Sequence, residues 1–160
     1  MIEISDFQCP FCKTFHDSTY PALKKEYIDT GKLRLAYLNL PLAMHVNAVP
    51  AAHAAMCAAL QGRFWEAHDR IFESQDQWKG LADPRAFLDS VVIATGVEKN
   101  NLTACTKAKR LEALIGADIE RSHQSGAEST PTFFVARHKI LGAQPIAQFR
   151  AVIDSALAGK

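Results

Sequence analysis

Two thiols three residues apart, Cys9 and Cys12 in the stretch Phe7-Gln8-Cys9-Pro10-Phe11-Cys12, are the groups best suited to chemistry in this chain. A C-x-x-C can close a disulfide on itself, hold a metal ion or carry a haem, and its surroundings decide among these. Ahead of it, Ile2 to Phe7 is β-branched and aromatic with turn-prone Ser5 and Asp6 near its end, which predicts a strand. Behind it, Pro10 suits the first turn of a helix, where no N–H partner is needed. Cys9 then lies where a helix begins, with Cys12 one turn further on. Free N–H groups and the positive end of the helix dipole favour an anion there, so Cys9 is the expected thiolate and attacking sulfur. Lys13 adds a positive charge one turn away, and no carboxylate stands between Cys9 and His16. A c-type haem would need histidine at position 13, where the chain has Lys13. Zinc would want a second ligand pair, and neither another C-x-x-C nor an H-x-x-x-H occurs. A makeshift site of Cys9, Cys12 and His16 is the metal alternative.

The elements that must position these thiols follow from the hydrophobic pattern. A helix is expected from about Pro10 to Thr30, kinked near Thr19 to Pro21 because Pro21 lacks a donor, and capped by Gly31. Leu33 to Leu40 alternates as a strand, so strand, helix and strand within 40 residues make a βαβ unit with parallel strands. Asn47 can cap a helix whose stripe is Val49, His53, Met56, Cys57 and Leu60, ending at Gly62. Arg63 to Glu73 places Phe64, His68, Ile71 and Phe72 on one side. Asp83-Pro84 opens a helix carrying Phe87, Leu88, Val91 and Ala94, closed by Gly96. A short helical turn around Leu102 and Cys105 leads into a helix from Lys107 to Ser125, with Leu111, Leu114, Ile115 and Ile119 inward. Phe133 to Ala136 and Lys139 to Leu141 flank a turn at Arg137-His138, an antiparallel hairpin. A last helix follows Pro145, with Ile146, Phe149, Val152, Ile153 and Leu157 inward. The order β-α-β, helices, β-β-α is an α/β thioredoxin fold with an all-helical insertion: one domain over residues 1–160, its thioredoxin portion about 1–42 and 127–160 and its insertion about 43–126.

Length and composition fit that frame. A chain of 160 residues is enough for one domain with a core of its own. A formal net charge of +1, with no basic block, gives no reason to expect nucleic acid, and no apolar run is long enough to span a bilayer. Four cysteines are compatible with two disulfides and an oxidising compartment. Met1 leads directly into the first strand, so a mature or trimmed chain working in the periplasm or another extracytoplasmic space is expected.

The stretches S-D-F-Q-C-P-F-C, N-L-P-L-A-M-H, Q-G-R-F-W-E-A-H-D-R-I-F and S-T-P-T-F-F-V resemble, in this order and over nearly the whole chain, the DsbA-like thiol:disulfide oxidoreductases. The resemblance implies that Cys9 is the nucleophile and Cys12 the resolving cysteine, with Pro10 and Phe11 meeting substrate. It implies that Thr130-Pro131 is a cis-proline loop offering its backbone to a bound peptide. No cofactor beyond the redox disulfide is implied. The partners implied are folding proteins with free thiols and, for reoxidation, a membrane quinone-linked protein. Relatives of this kind usually carry an edge strand before the motif strand; without it, Leu33 to Leu40 is expected as an uncovered edge. They also include strong oxidants with histidine in the central pair, so Pro10-Phe11 predicts a milder one.

Several residues keep two readings. Glu3 is a carboxylate on what should be a central strand; it either tunes protons for the buried cysteine, as the resemblance implies, or is solvated. Cys57 and Cys105 are either packed thiols or a structural disulfide, which some relatives have. Phe64, Trp65 and Phe72 read as core, and Trp78 as partly exposed near the active face. His45, His53 and His68 read as packing or hydrogen-bonding groups, and His16 as facing solvent. The function expected is disulfide donation to folding proteins. Reduction or isomerisation is the alternative in the same chemistry, and metal binding by Cys9 and Cys12 the alternative outside it.

Overall fold

The first strand, β1 (Ile2–Ser5), is an inner strand of a four-stranded sheet ordered β2-β1-β3-β4. The computed structural model that shows this describes residues 1–108 and 111–159. β1 pairs in parallel with β2 (Ala36–Asn39) and antiparallel with β3 (Thr132–Val135), which forms a hairpin with β4 (His138–Leu141). The hairpin turn falls on Ala136 and Arg137, one residue earlier than expected, with Ala136 at φ 51°. β2 is an edge strand, as the departure from DsbA-like relatives implied, but it is not uncovered: its Asn39 donates to the Asp118 carboxylate from the side chain at 2.9 Å and from the backbone amide at 3.3 Å.

Between β1 and β2 the chain is helical and broken where proline removes a donor. α1 (Pro10–Ser18) stops before Thr19; α2 (Tyr20–Leu23) then widens into a π-helical turn, Lys24–Ile28, in which the Asp29 amide reaches back to the Lys24 carbonyl at 2.9 Å. Gly31 ends it at φ 74°. Between β2 and β3 lie α3 (Ala48–Ala59), α4 (Phe64–Glu73), α5 (Gln75–Trp78), α6 (Arg85–Ile93), α7 (Lys99–Lys107) and α8 (Glu112–Gln124); α9 (Ile146–Leu157) closes the chain. Among the described residues no helix is long and apolar enough to cross a membrane.

Pleat alternation puts Glu3, Tyr37 and Phe133 on one side of the sheet and Ile4 with Leu38 on the other. The first side is covered by Phe15, Tyr20 and Phe149 of α1, α2 and α9. Beyond the motif, Phe7, Cys9 and Cys12 belong to a second core, built from the small faces of α3 and the apolar faces of α4, α6 and α7.

Some stripes differ from the pattern. α3 buries its alanines and Cys57 while Val49 and Leu60 are exposed, because a helix apolar almost all round carries no periodic signal. Leu114 and Leu157 are also exposed. The buried side of α8 runs through Ile115, Asp118 and Ser122, a stripe that turns polar to meet β2. The segment around Leu102 and Cys105 is a nine-residue helix capped by the Glu98 carboxylate, not a turn. Lys109 and Arg110, inside the helix expected from Lys107 to Ser125, lie outside the described residues. Asn47 precedes α3 but does not cap it; its amide donates instead to the carbonyls of Trp78, Lys79 and Leu81. Trp78 is fully buried, its indole N–H on the Ile71 carbonyl at 2.9 Å, because a ring of that size with a satisfied donor gains more inside than at the rim.

Candidate active site

Cys9 is the N-cap residue of α1, with extended backbone (φ −66°, ψ 126°) and Pro10 as the first helical residue. Its neighbours are fixed by buried polar side chains. The carboxylate of Asp6, 2% exposed, accepts the Gln8 amide at 2.7 Å, the Leu42 amide at 2.8 Å and lies 2.7 Å from His45 Nδ1. Gln75, from α5, donates to the Phe7 carbonyl at 2.7 Å and the Cys9 carbonyl at 3.1 Å. Gln8 donates to the Lys79 carbonyl and accepts the Asn47 amide. Sequence pattern did not single out Asp6, Gln8 or Gln75 for this work.

The two thiols are free and buried, and their environments oppose each other. Cys9 has its pKa lowered to about 6: the Cys12 thiol donates to it, which together with the Thr130 side chain and the amides of Cys12 and Phe11 outweighs the cost of burial. While protonated, Cys9 donates to the Thr130 carbonyl at 3.4 Å, and the Thr130 hydroxyl has no hydrogen-bond partner among the described residues. Cys12 is pushed well above the ordinary thiol range, first by burial and then by its role as donor to Cys9. The Thr130-Pro131 peptide bond is cis and faces the motif. Pro10 and Phe11 are exposed, Phe11 by 64%. Lys13 does not act on Cys9 as its spacing suggested: it turns to Asp17 at 2.9 Å and to the Phe72 carbonyl.

Glu3 is 1% exposed, so it is not solvated; burial raises its pKa to about 7, with Ser5 and His16 offsetting part of that rise. His16 is buried rather than solvent-facing, because α1 turns that face toward α4, where Asp69 and His68 stand. It therefore reaches Asp17 and Asp69 and not the cysteines, which removes the third ligand of the makeshift metal site. His68 sits among the rings of Phe7, Tyr37, Trp65 and Phe72. Cys57 and Cys105 are joined in a disulfide between α3 and α7.

A family model described as thioredoxin matches residues 1–155. The chain belongs to the thioredoxin family. Its fold matches the oxidised crystal structure of BdbD from Bacillus subtilis with a TM-score of 0.89, at 22% identity, over 99% of this chain and 86% of that one. Disulfide bond formation protein D of Bacillus subtilis is 22% identical over 162 residues, 100% of this chain and 73% of that protein. A Na(+)/H(+) antiporter, NhaA 3 of Salinispora tropica, is 31% identical over 159 residues. The match takes in 99% of this chain but only 23% of the antiporter, so the thioredoxin-family chain spans about a quarter of that relative's length. The DsbA-like resemblance read from the motifs agrees with these likenesses, and so does the thioredoxin fold.

Proposed function

We propose that this chain is a thiol:disulfide oxidoreductase that donates a Cys9–Cys12 disulfide to substrate protein thiols. The observation that carries this is the pair of opposed thiols: one favoured as a thiolate at a helix start, its neighbour kept protonated beneath it. A substrate thiolate attacks Cys9 sulfur, forming a mixed disulfide and releasing Cys12 as a thiolate that takes up a proton. The substrate's second thiolate then attacks its own sulfur in that bond, and Cys9 leaves as a thiolate. The substrate has lost two electrons and the protein has gained them. Because the reduced form holds a stabilised thiolate, the disulfide is an oxidant. Pro10, Phe11 and the Thr130-Pro131 loop meet the substrate, Phe11 with an exposed ring and Thr130 with its backbone carbonyl beside the sulfur. Folding proteins with free thiols are the substrates, and a membrane redox partner restores the disulfide. The Cys57–Cys105 disulfide supports work in an oxidising, extracytoplasmic compartment. No metal or cofactor is needed for the exchange.

Equilibration against glutathione buffers, with the stability of both redox forms measured by urea unfolding, tests this. An oxidase is more stable reduced than oxidised; the opposite order would assign the chain to reduction instead.

A further inference from the structure

Where α1 packs on α4, two imidazoles converge on one carboxylate oxygen. Asp69 Oδ1 lies 2.8 Å from His68 Nδ1 and 3.6 Å from His16 Nε2. One donor atom of each of the three residues lies within 4.8 Å of the other two. The longer distance is beyond a hydrogen bond. Both suit a shared ion. Nitrogen and oxygen ligands at about 2.1 Å from a tetrahedral ion stand about 3.4 Å apart, and the two distances bracket that value. Closing the difference takes a small turn of Asp69, whose side chain is 35% exposed. The histidines are already held: His16 stacks on Tyr20 and Phe72, and His68 is buried.

The outer nitrogen of His16 is fixed as well. Its Nδ1 is 2.9 Å from Asp17 Oδ1, and Lys13 holds the other oxygen of that carboxylate at 2.9 Å. With the ring proton donated to Asp17, Nε2 turns a lone pair toward the Asp69 carboxylate. Two acceptors face each other there, and a cation or a proton must lie between them. A carboxylate on the outer nitrogen is also the usual support of a metal-bound histidine. His68 supplies a second sign. Its Nε2 is buried with no hydrogen-bond partner among the described residues. With Nδ1 protonated toward Asp69, Nε2 is a bare acceptor on a ring packed against Phe7, Tyr37 and Phe72. With Nδ1 on an ion, the proton moves to Nε2. Aromatic faces accept an N–H weakly and offer a lone pair nothing.

We propose that His16 Nε2, His68 Nδ1 and Asp69 Oδ1 form a site for one divalent transition ion, Zn²⁺ before others, that joins α1 to α4. The site goes beyond the oxidoreductase reading and does not depend on it. Two imidazoles and one carboxylate suit zinc and its first-row neighbours. Calcium and magnesium want a shell of oxygens, and nitrogen supplies two of the three donors here. Three protein ligands leave one tetrahedral position for water. That water enters past Asp69, which lines a surface hollow with Glu66 and Glu73. Because the ligands come from two helices, the ion binds only where α1 and α4 are packed together, and so it stabilises that packing.

Reduced thiols would also take zinc, so the test uses the full chain oxidised at Cys9–Cys12 and stripped with a chelator. Zn²⁺ is added, affinity is read by competition with a zinc indicator, and bound metal is counted after dialysis. One zinc per chain is expected. Asp17→Asn, which touches only the outer nitrogen of His16, should weaken binding by about tenfold to a hundredfold. His16→Gln and Asp69→Asn, which each remove a ligand, should lose more. Zn²⁺ should raise the thermal midpoint of the wild type and leave that of Asp69→Asn unchanged. Asp69→Asn keeps both buried rings, so a folded protein remains to be read. Nitrogen-15 shifts of the imidazoles should mark Nε2 of His16 and Nδ1 of His68 as the bound atoms. No zinc on the oxidised wild type overturns the site. So does zinc that His16→Gln and Asp69→Asn both retain undiminished, which would put the ion on other groups. Exchange of Cys9 with glutathione disulfide, followed separately on the reduced wild type, reads the oxidoreductase proposal whatever the zinc result.

Discussion

Glu3→Gln makes the folded protein less sensitive to pH, and the size of the effect follows from burial. An unfolded glutamate titrates at 4.5, and Glu3 in the folded chain at about 7. Below 4.5 both states are protonated and the group contributes nothing. Between 4.5 and 7 the unfolded chain releases the proton and the native chain keeps it, so wild-type stability falls as pH rises. Above 7 the loss levels off at roughly 3 kcal/mol, about two and a half pKa units at 1.36 kcal/mol each. Glutamine does not titrate. Its amide N–H groups, placed where Glu3 Oε2 has no partner among the described residues, cost about 1–3 kcal/mol at every pH, a constant that cancels when two pH values are compared. Urea unfolding of the oxidised protein, in which Cys9 cannot titrate, should give a variant-minus-wild-type difference that grows by about 3 kcal/mol from pH 4 to pH 8. A difference that stays flat within about 0.5 kcal/mol means Glu3 ionises like an exposed carboxylate; it could then not hold a proton for Cys12 at neutral pH.

Replacing Cys57 and Cys105 by alanine opens a disulfide that links residues 48 apart, worth up to about 4 kcal/mol by loop entropy. α7 buries only Leu102 and Cys105, so its amides should lose hydrogen-exchange protection first; protection unchanged in α7 would refute the role of the bridge as its anchor. Asp6→Ala strands two backbone amides and should lower stability by roughly 3 kcal/mol in a urea titration, while slowing exchange with glutathione disulfide. A loss under about 0.5 kcal/mol would show that the motif loop holds its shape without that carboxylate.

The thiols were legible in the sequence because their chemistry is local. A strand, a turn and Pro10 fix where the helix starts, and Cys9 is the residue there. The broken first helix was legible for the same reason: Pro21 acts on its own turn. What surrounds the thiols was not. Gln75 reaches the Phe7 and Cys9 carbonyls across 66 residues or more of chain, and Asp6 binds a loop 36 residues away; neither residue differs in type from a solvated one. His16 read as exposed because nothing near it in sequence says that α4 packs there, bringing Asp69 from 53 positions on. The alanine face of α3 was hidden by the helix's overall apolarity, and the fate of Glu3 depended on which side of the sheet received α1.

What separates the two thiols is not charge placed near one of them. Both lie at the same helix start and both are buried, so burial alone would raise each. Cys9 escapes because its anion is favoured first by the Cys12 thiol, then by the Thr130 side chain and the backbone amides of Cys12 and Phe11, and these together outweigh burial. Cys12 spends its own proton on that bond and stays protonated in consequence. The cation that spacing placed beside the motif, Lys13, is drawn away by Asp17, and the central pair Pro10-Phe11 brings no charge. Thiolate stabilisation here comes from neutral donors of fixed geometry in a water-poor site, where hydrogen bonds are strong and salt screens little. It would be lost by moving the Thr130-Pro131 loop or the helix start more readily than by changing the charges on the surface.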